Sequence, residues 1–215
     1  MRKALFLVAI SAFLLTTVEG GHPEKNAEGF VQVFDGTDLS RLKTKGNWTI
    51  QSDGSLYLEP REGEEGWKRY HHYLWLPDQY ADFVFDFEYK YEAKGNSGFY
   101  FRVSDESDPT LHGFEVQIMD SLGKPDDKMG HHDNGGMIKT QGASKNMSKE
   151  PGEWNRMTVT MKGNHLTVVL NGEKIQDFDL TTKKPEDKPL AKEGLIAIQD
   201  HGIPFWVRNL QIKKL

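Results

Sequence analysis

DFVFDFEYKYEA, residues 82–93, puts Phe83, Phe85, Phe87, Tyr89 and Tyr91 on one side of an extended chain. Asp82, Asp86, Glu88 and Lys90 fall on the other side, with Val84 the exception. Successive side chains of a strand point to opposite faces, so this period of two predicts a long strand with one aromatic face turned to a core. The flanking segments repeat the pattern. NWTIQSDGSLYLEP (47–60) reads as a hairpin through Ser52-Asp53-Gly54, and Asn171-Gly172 between VVL and EKI is a two-residue hairpin turn. FVQVFDG, SGFYFRVSD, GFEVQIMD, WNRMTVTMKG, EGLIAIQDHG and PFWVRNLQIKKL supply further strands. No window keeps helical spacing and no segment repeats. Many strands joined by Gly, Asn and Asp turns predict one all-β domain over residues 28–215, an antiparallel β-sandwich or jelly roll.

Composition narrows the chemistry. The 215 residues contain no cysteine, so disulfides, thiolate metal sites and a cysteine nucleophile are excluded. Residues 1–20 read as a signal peptide: a basic MRK, the apolar run ALFLVAISAFLLTTV, then Val18-Glu19-Gly20 as the cleavage site. The apolar run is about 15 residues, shorter than the roughly 20 of a membrane span. The expected product is exported, periplasmic or extracellular, with no stable membrane association after cleavage. Removing Arg2, Lys3 and Glu19 leaves 25 basic and 31 acidic residues, a balance without the basic footprint of a nucleic-acid or anionic-lipid binder.

The polar sides of the strands raise the question of a site. Tyr100 and Arg102 oppose Phe99, Phe101 and Val103; Glu115 and Gln117 oppose Phe114, Val116 and Ile118; Gln199 and His201 oppose Ile196 and Ile198; Glu88 and Lys90 oppose the aromatics of the opening stretch. If these strands share one sheet, carboxylates, amides, Arg, Lys, His and Tyr assemble a surface suited to the hydroxyls of a polyol. Alternation alone fits a wet outer face equally well. His201, in Gln199-Asp200-His201-Gly202 at a strand end beside a Gly turn, is placed as functional side chains often are, with Asp200 supporting the turn. His131-His132-Asp133 lies in a Gly-rich stretch from Ser121 to Pro151, and His71-His72 in another segment; both pairs read as solvated surface features.

An ordinary glycosidase needs two carboxylates about 5–10 Å apart. Glu115-Val-Gln117-Ile-Met119 has the spacing for a strand-borne set but carries an amide and a thioether after its first carboxylate. Asp120 faces the other way. No phosphate loop, dinucleotide fingerprint, Gly-x-Ser-x-Gly elbow or His-Glu-x-x-His is present, so no nucleotide or organic cofactor is expected.

The ordered set GNSG-x-x-x-R (95–102), G-x-E-x-Q-x-x-D (113–120), EWN (153–155), LNG (170–172) and QDHG (199–202) resembles the 3-keto-disaccharide hydrolase domain family over nearly the whole chain after residue 28. The resemblance implies a concanavalin A-like jelly roll. It also implies cleavage of glycosides already oxidised at C3, and so a functional link to a sugar 3-oxidising oxidoreductase. A C3 ketone acidifies the C2 proton, and the C1–O bond breaks by elimination through an enolate, with water added afterwards. On that reading Glu115 and His201 are base and acid, in an order left open, and Arg102 is the positive charge near the enolate. Glu88, Lys90, Asn96, Tyr100, Gln117 and Gln199 hold the carbohydrate. The resemblance further implies a divalent metal at the enolate, for which Glu115, Asp120 and His201 are the first ligands to consider. One departure stands out: where relatives often carry a tyrosine before EWN, GGMIKTQGAS (135–144) has Lys139, which puts aglycone preference in question. A non-catalytic carbohydrate-binding module on the same fold is the alternative.

Overall fold

The computed structural model describes residues 25–215; the stretch read as a signal peptide lies outside the described residues. Twelve strands follow in order: β1 Val31–Phe34, β2 Trp48–Ile50, β3 Leu56–Leu58, β4 Leu74–Trp75, β5 Phe83–Tyr91, β6 Asn96–Val103, β7 Phe114–Met119, β8 Asn155–Lys162, β9 His165–Leu170, β10 Glu173–Asp179, β11 Leu195–Ile198 and β12 Phe205–Lys214. Two single-turn helices, α1 Pro109–His112 and α2 Leu180–Lys183, interrupt them. The strands form two antiparallel sheets packed face to face. The larger runs β10-β9-β8-β5-β12-β3-β2, with β1 also paired to β12; the smaller runs β4-β11-β6-β7. This is the expected jelly-roll sandwich.

Turn chemistry sets the hairpins. Asn171 and Gly172 both take positive φ, 51° and 87°, as a tight turn between β9 and β10 requires. Between β2 and β3, Asp53 Oδ1 accepts from the backbone N–H (3.0 Å) and hydroxyl (2.6 Å) of Ser55.

The aromatic side of β5 is fully buried against the smaller sheet. Phe85 and Phe87 lie 5.1 and 5.6 Å from the Phe99 ring of β6, and Phe83 lies 6.4 Å from Phe101. Burying each such ring contributes about 1.5–3 kcal/mol. The smaller sheet also carries a second cluster, Tyr73, Trp75, Tyr100, Val103 and Ala197, on its opposite face.

Two expectations fail here. β5 belongs to the larger sheet, while β6, β7 and β11 form the smaller one, so Glu88 and Lys90 lie across the sandwich from Glu115. Alternation tells which side of a strand is polar, not which sheet the strand joins. Glu88 pairs with Arg208, and the Lys90 ammonium sits 5.0 and 4.8 Å from the Trp154 and Trp206 rings. The second failure is local. Between Tyr100↔Ala197 and Val103↔Leu195, β6 has two residues where β11 has one, and Arg102 has φ 53°. This bulge reverses the alternation: Val103 joins Tyr100 on the outer face and Arg102 is carried off it.

Candidate functional site

A cleft of about 360 Å³ opens on the outer face of the smaller sheet, above the register that pairs β6 with β7. Tyr100 and Glu115 are direct cross-strand partners, and the Tyr100 hydroxyl donates to Glu115 Oε2 at 2.6 Å. From β11's end, Gln199 Nε2 lies 3.4 Å from Glu115 Oε1 and 3.1 Å from the Tyr73 hydroxyl. Room for the carboxylate comes from Gly98: a Cβ there would stand 2.2 Å from Glu115 Oε1. Glu115 as a whole is 8% exposed. Burial pushes its pKa up to about 7, against the lowering effects of the Tyr100 hydrogen bond and the Lys188 charge.

Lys188 is the unforeseen partner. It follows α2 in a charged loop, yet it is buried; its ammonium donates to the Gly113 carbonyl at 2.5 Å and lies 5.4 Å from the Phe114 ring. Burial draws its pKa down to about 8, with Glu115 the main opposing influence. A carboxyl and an amine, each shifted toward neutrality, therefore face one cleft.

A chain of amides fixes His201. Gln117 Nε2 donates to the backbone carbonyls of Ser97 and Ile118, both at 3.1 Å, and to Asn96 Oδ1 at 2.7 Å. Those carbonyls orient the Gln117 amide, so Asn96 presents its oxygen to Gln117 and its Nδ2 to His201 Nε2, 3.2 Å away. His201 Nε2 is thus an acceptor, and the ring is neutral with its proton on Nδ1. Burial lowers its pKa in the same sense. Beneath it Asp200 is fully buried, its Oδ1 accepting from Gly202 N (2.8 Å) and facing Arg69 Nε at 3.3 Å, so it supports the turn as the sequence suggested.

Two loops wall the cleft. In one, the Gly66 N–H donates to the His201 carbonyl (3.0 Å) and the Tyr73 hydroxyl to the Trp67 carbonyl (2.6 Å), with Trp67 itself exposed at the rim. In the other, the Gly-rich stretch pairs with the outer edge of β7: Gly135 N–H to Gln117 O (2.8 Å), Gln117 N–H to Gly136 O (2.7 Å) and Ile138 N–H to Glu115 O (3.1 Å). It buries Met137 in the core and brings His132, Ile138 and Lys139 to the cleft. The stretch is thus a built wall, and His132 is a lining residue rather than a purely solvated one.

Of the residues expected at a site, Glu115, His201, Asn96, Tyr100, Gln117 and Gln199 come together in this cleft. Glu88, Lys90, Arg102 and Asp120 do not. Arg102 is buried and donates to three backbone carbonyls, Ala81 (3.1 Å), Ala191 (2.6 Å) and Gly163 (2.8 Å), with Asp82 at 3.6 Å. Asp120 accepts the backbone N–H groups of Lys94 (2.9 Å) and Leu122 (3.3 Å). The donor set Glu115, Asp120 and His201 is therefore not assembled, and among the described residues no three His, Asp or Glu side chains gather to hold a metal ion. Lys188 and Trp67 escaped the sequence reading. The dense aromatic run in WKRYHHYLW (67–75) was the available signal for the second; nothing in KKPEDKP marks the first.

A curated 3-keto-disaccharide hydrolase of Bacteroides thetaiotaomicron is 25% identical over 232 aligned positions, covering 88% of this chain and 80% of that protein. A crystal structure from Parabacteroides distasonis, provisionally assigned as a glycosyl hydrolase, superposes with a TM-score of 0.72 at 25% identity, over 88% of this chain and 95% of the other. A Bacillus subtilis protein with a galectin-like fold, 14% identical, shares the architecture with a TM-score of 0.59 over 86% of this chain and 94% of its own. The family described as 3-keto-alpha-glucoside-1,2-lyase-like domains matches residues 29–213, and the chain belongs to it.

Proposed function

We propose that the chain cleaves glycosides whose sugar carries a ketone at C3, by elimination followed by hydration. The observation that carries this reading is the charge inventory of the cleft: among the described residues one carboxylate, Glu115, lines it. A two-carboxylate glycosidase has no second group to use. Elimination needs one base, and a carboxyl with a pKa near 7 is suited to take a proton at neutral pH.

Glu115 abstracts the C2 proton and the electron pair moves onto the C3 oxygen as an enolate. The enolate collapses, the C1–O bond breaks, and the leaving oxygen takes a proton. Water then adds at C1 and the proton returns to C2, so the sum is hydrolysis. C2–H and C1–O sit on adjacent carbons, so base and acid must stand close together. Lys188 supplies the positive charge that the sequence reading gave to Arg102, and near neutral pH it has a proton to give. The neutral His201, held by Asn96, and the amides of Gln117 and Gln199 orient the sugar; Trp67 offers an aromatic face to it. No step is routed through a metal, because the expected ligands do not converge.

The amino-terminal stretch supports export, and the substrate requires an upstream oxidoreductase that oxidises C3. The test compares a 3-keto-glucoside bearing a chromogenic aglycone with the unoxidised glucoside. Release from the keto substrate alone is expected, with exchange of the C2 proton for deuterium in heavy water. Glu115→Gln should abolish both while leaving ligand affinity within about tenfold, ~1.4 kcal/mol. Binding without release from either glycoside, across several linkages, would make the chain a carbohydrate-binding module.

A further inference from the structure

Lys139 is an exposed lysine at the tip of a tight turn, with φ 57°, in the left-handed region that side chains other than Gly and Asn seldom adopt. The turn is pinned on all sides. The Lys139 N–H donates to His131 Nδ1 (3.1 Å), Ile138 N–H to Glu115 O (3.1 Å), and Gln141 N–H to Met137 O (3.1 Å). A conformation costing about 1 kcal/mol or more is thus kept at the rim of the cleft with a long cationic side chain on it.

Among the described residues that cation has no ion-pair or hydrogen-bond partner of its own. No described carboxylate forms an ion pair with Lys139; the lysines that do have such partners, among them Lys43, Lys124 and Lys145, lie away from the cleft. Lys188 and His132 line the same cleft. The one lining carboxylate, Glu115, lies deep at the floor against Tyr100. Asp108 and Asp187, which also bear on Lys188, do not line the cleft, and Asp108 is occupied in capping α1 through Thr110 Oγ1 (2.6 Å) and Leu111 N (3.1 Å). A net-acidic protein therefore presents a basic cleft mouth above the one described carboxylate that lines the cleft.

Resting on the elimination reading, we propose that the substrate's leaving half carries a carboxylate, received by Lys139 at the rim with His132 beside it. The charge deep in the cleft, Glu115, belongs to the reacting sugar, so the only place for the anion is the outer, aglycone end. A group at the mouth of a cleft also steers encounter as well as binding.

The test uses two 3-keto-glucosides, one of 4-hydroxybenzoate and one of its methyl ester, which differ in charge and little in size. The acid should be turned over with kcat/KM at least about tenfold above the ester at low ionic strength, a difference of ~1.4 kcal/mol. The ratio should fall toward one in about 0.5 M salt and in Lys139→Gln, and invert in Lys139→Glu. A ratio near or below one in the unaltered protein, or one that Lys139→Gln does not move, overturns the proposal. If neither keto-glucoside is turned over, the elimination reading fails instead. Calorimetric binding of the two unoxidised glucosides then decides the anion preference, with tighter binding of the acid that depends on Lys139 expected and equal binding overturning it.

Discussion

Glu115 keeps a carboxyl group where water scarcely reaches it, and this has a thermodynamic consequence separate from any chemistry. Its proton is held more tightly in the folded chain than in the unfolded one, so its contribution to stability is present in acid and lost as pH rises from about 4.5 through about 7. Glu115→Gln removes that loss. Urea titrations should show the variant more stable by about 1–3 kcal/mol at pH 8 and indistinguishable at pH 4. A variant less stable at pH 8 would mean that attraction to Lys188 outweighs the cost of burial. Glu115 and Gln117 were legible in the sequence because a period of two on β7 leaves them opposite Phe114, Val116 and Ile118. Lys188 was not: a loop has no period, and nothing local says that a lysine among Pro, Asp and Glu will be folded inward onto the Gly113 carbonyl.

β6 shows how one extra residue redirects an element. Up to Tyr100 the strand follows the alternation read from the sequence; past the bulge it does not, and Arg102 ends beneath the loops at Ala81, Gly163 and Ala191. A bulge shifts no residue's identity, so the sequence pattern before and after it looks continuous. Arg102 joins three chain segments by charge-assisted hydrogen bonds, and replacing it leaves three carbonyls to find other donors. Arg102→Leu should lower the free energy of unfolding by about 2–4 kcal/mol, while kcat per folded molecule stays within about twofold. A fall in kcat of about a hundredfold with the fold intact would return Arg102 to the chemistry. The hairpins, by contrast, were readable almost to the residue, because Asn171-Gly172 and Asp53-Gly54 carry their own backbone instructions.

The sandwich divides its work between two sheets, and the division could not be read from individual strands. Glu88 and Lys90 lie on the outer face of the larger sheet, where Lys90 sits between Trp154 and Trp206. Lys90→Ala should leave kcat/KM on a keto-glycoside unchanged within about twofold and cost about 0.5–2 kcal/mol of stability from the lost ring contacts; a large loss of turnover would extend the site to this face. The jelly roll itself was evident from the strands and turns, whereas sheet membership depends on pairings between distant segments. The strand with the widest such pairings is β12. It bonds to β5 along one side and to β3 and then β1 along the other, yet it is the last strand of the described chain. During synthesis, then, β10-β9-β8-β5 and β3-β2 must wait as separate pieces with unpaired margins until residues beyond Phe205 emerge and close the gap. A polypeptide ordered in this way postpones its commitment to a compact form until the last of its described strands has been made, so any truncation that removes β12 should leave two separate sheet fragments rather than a slightly smaller sandwich.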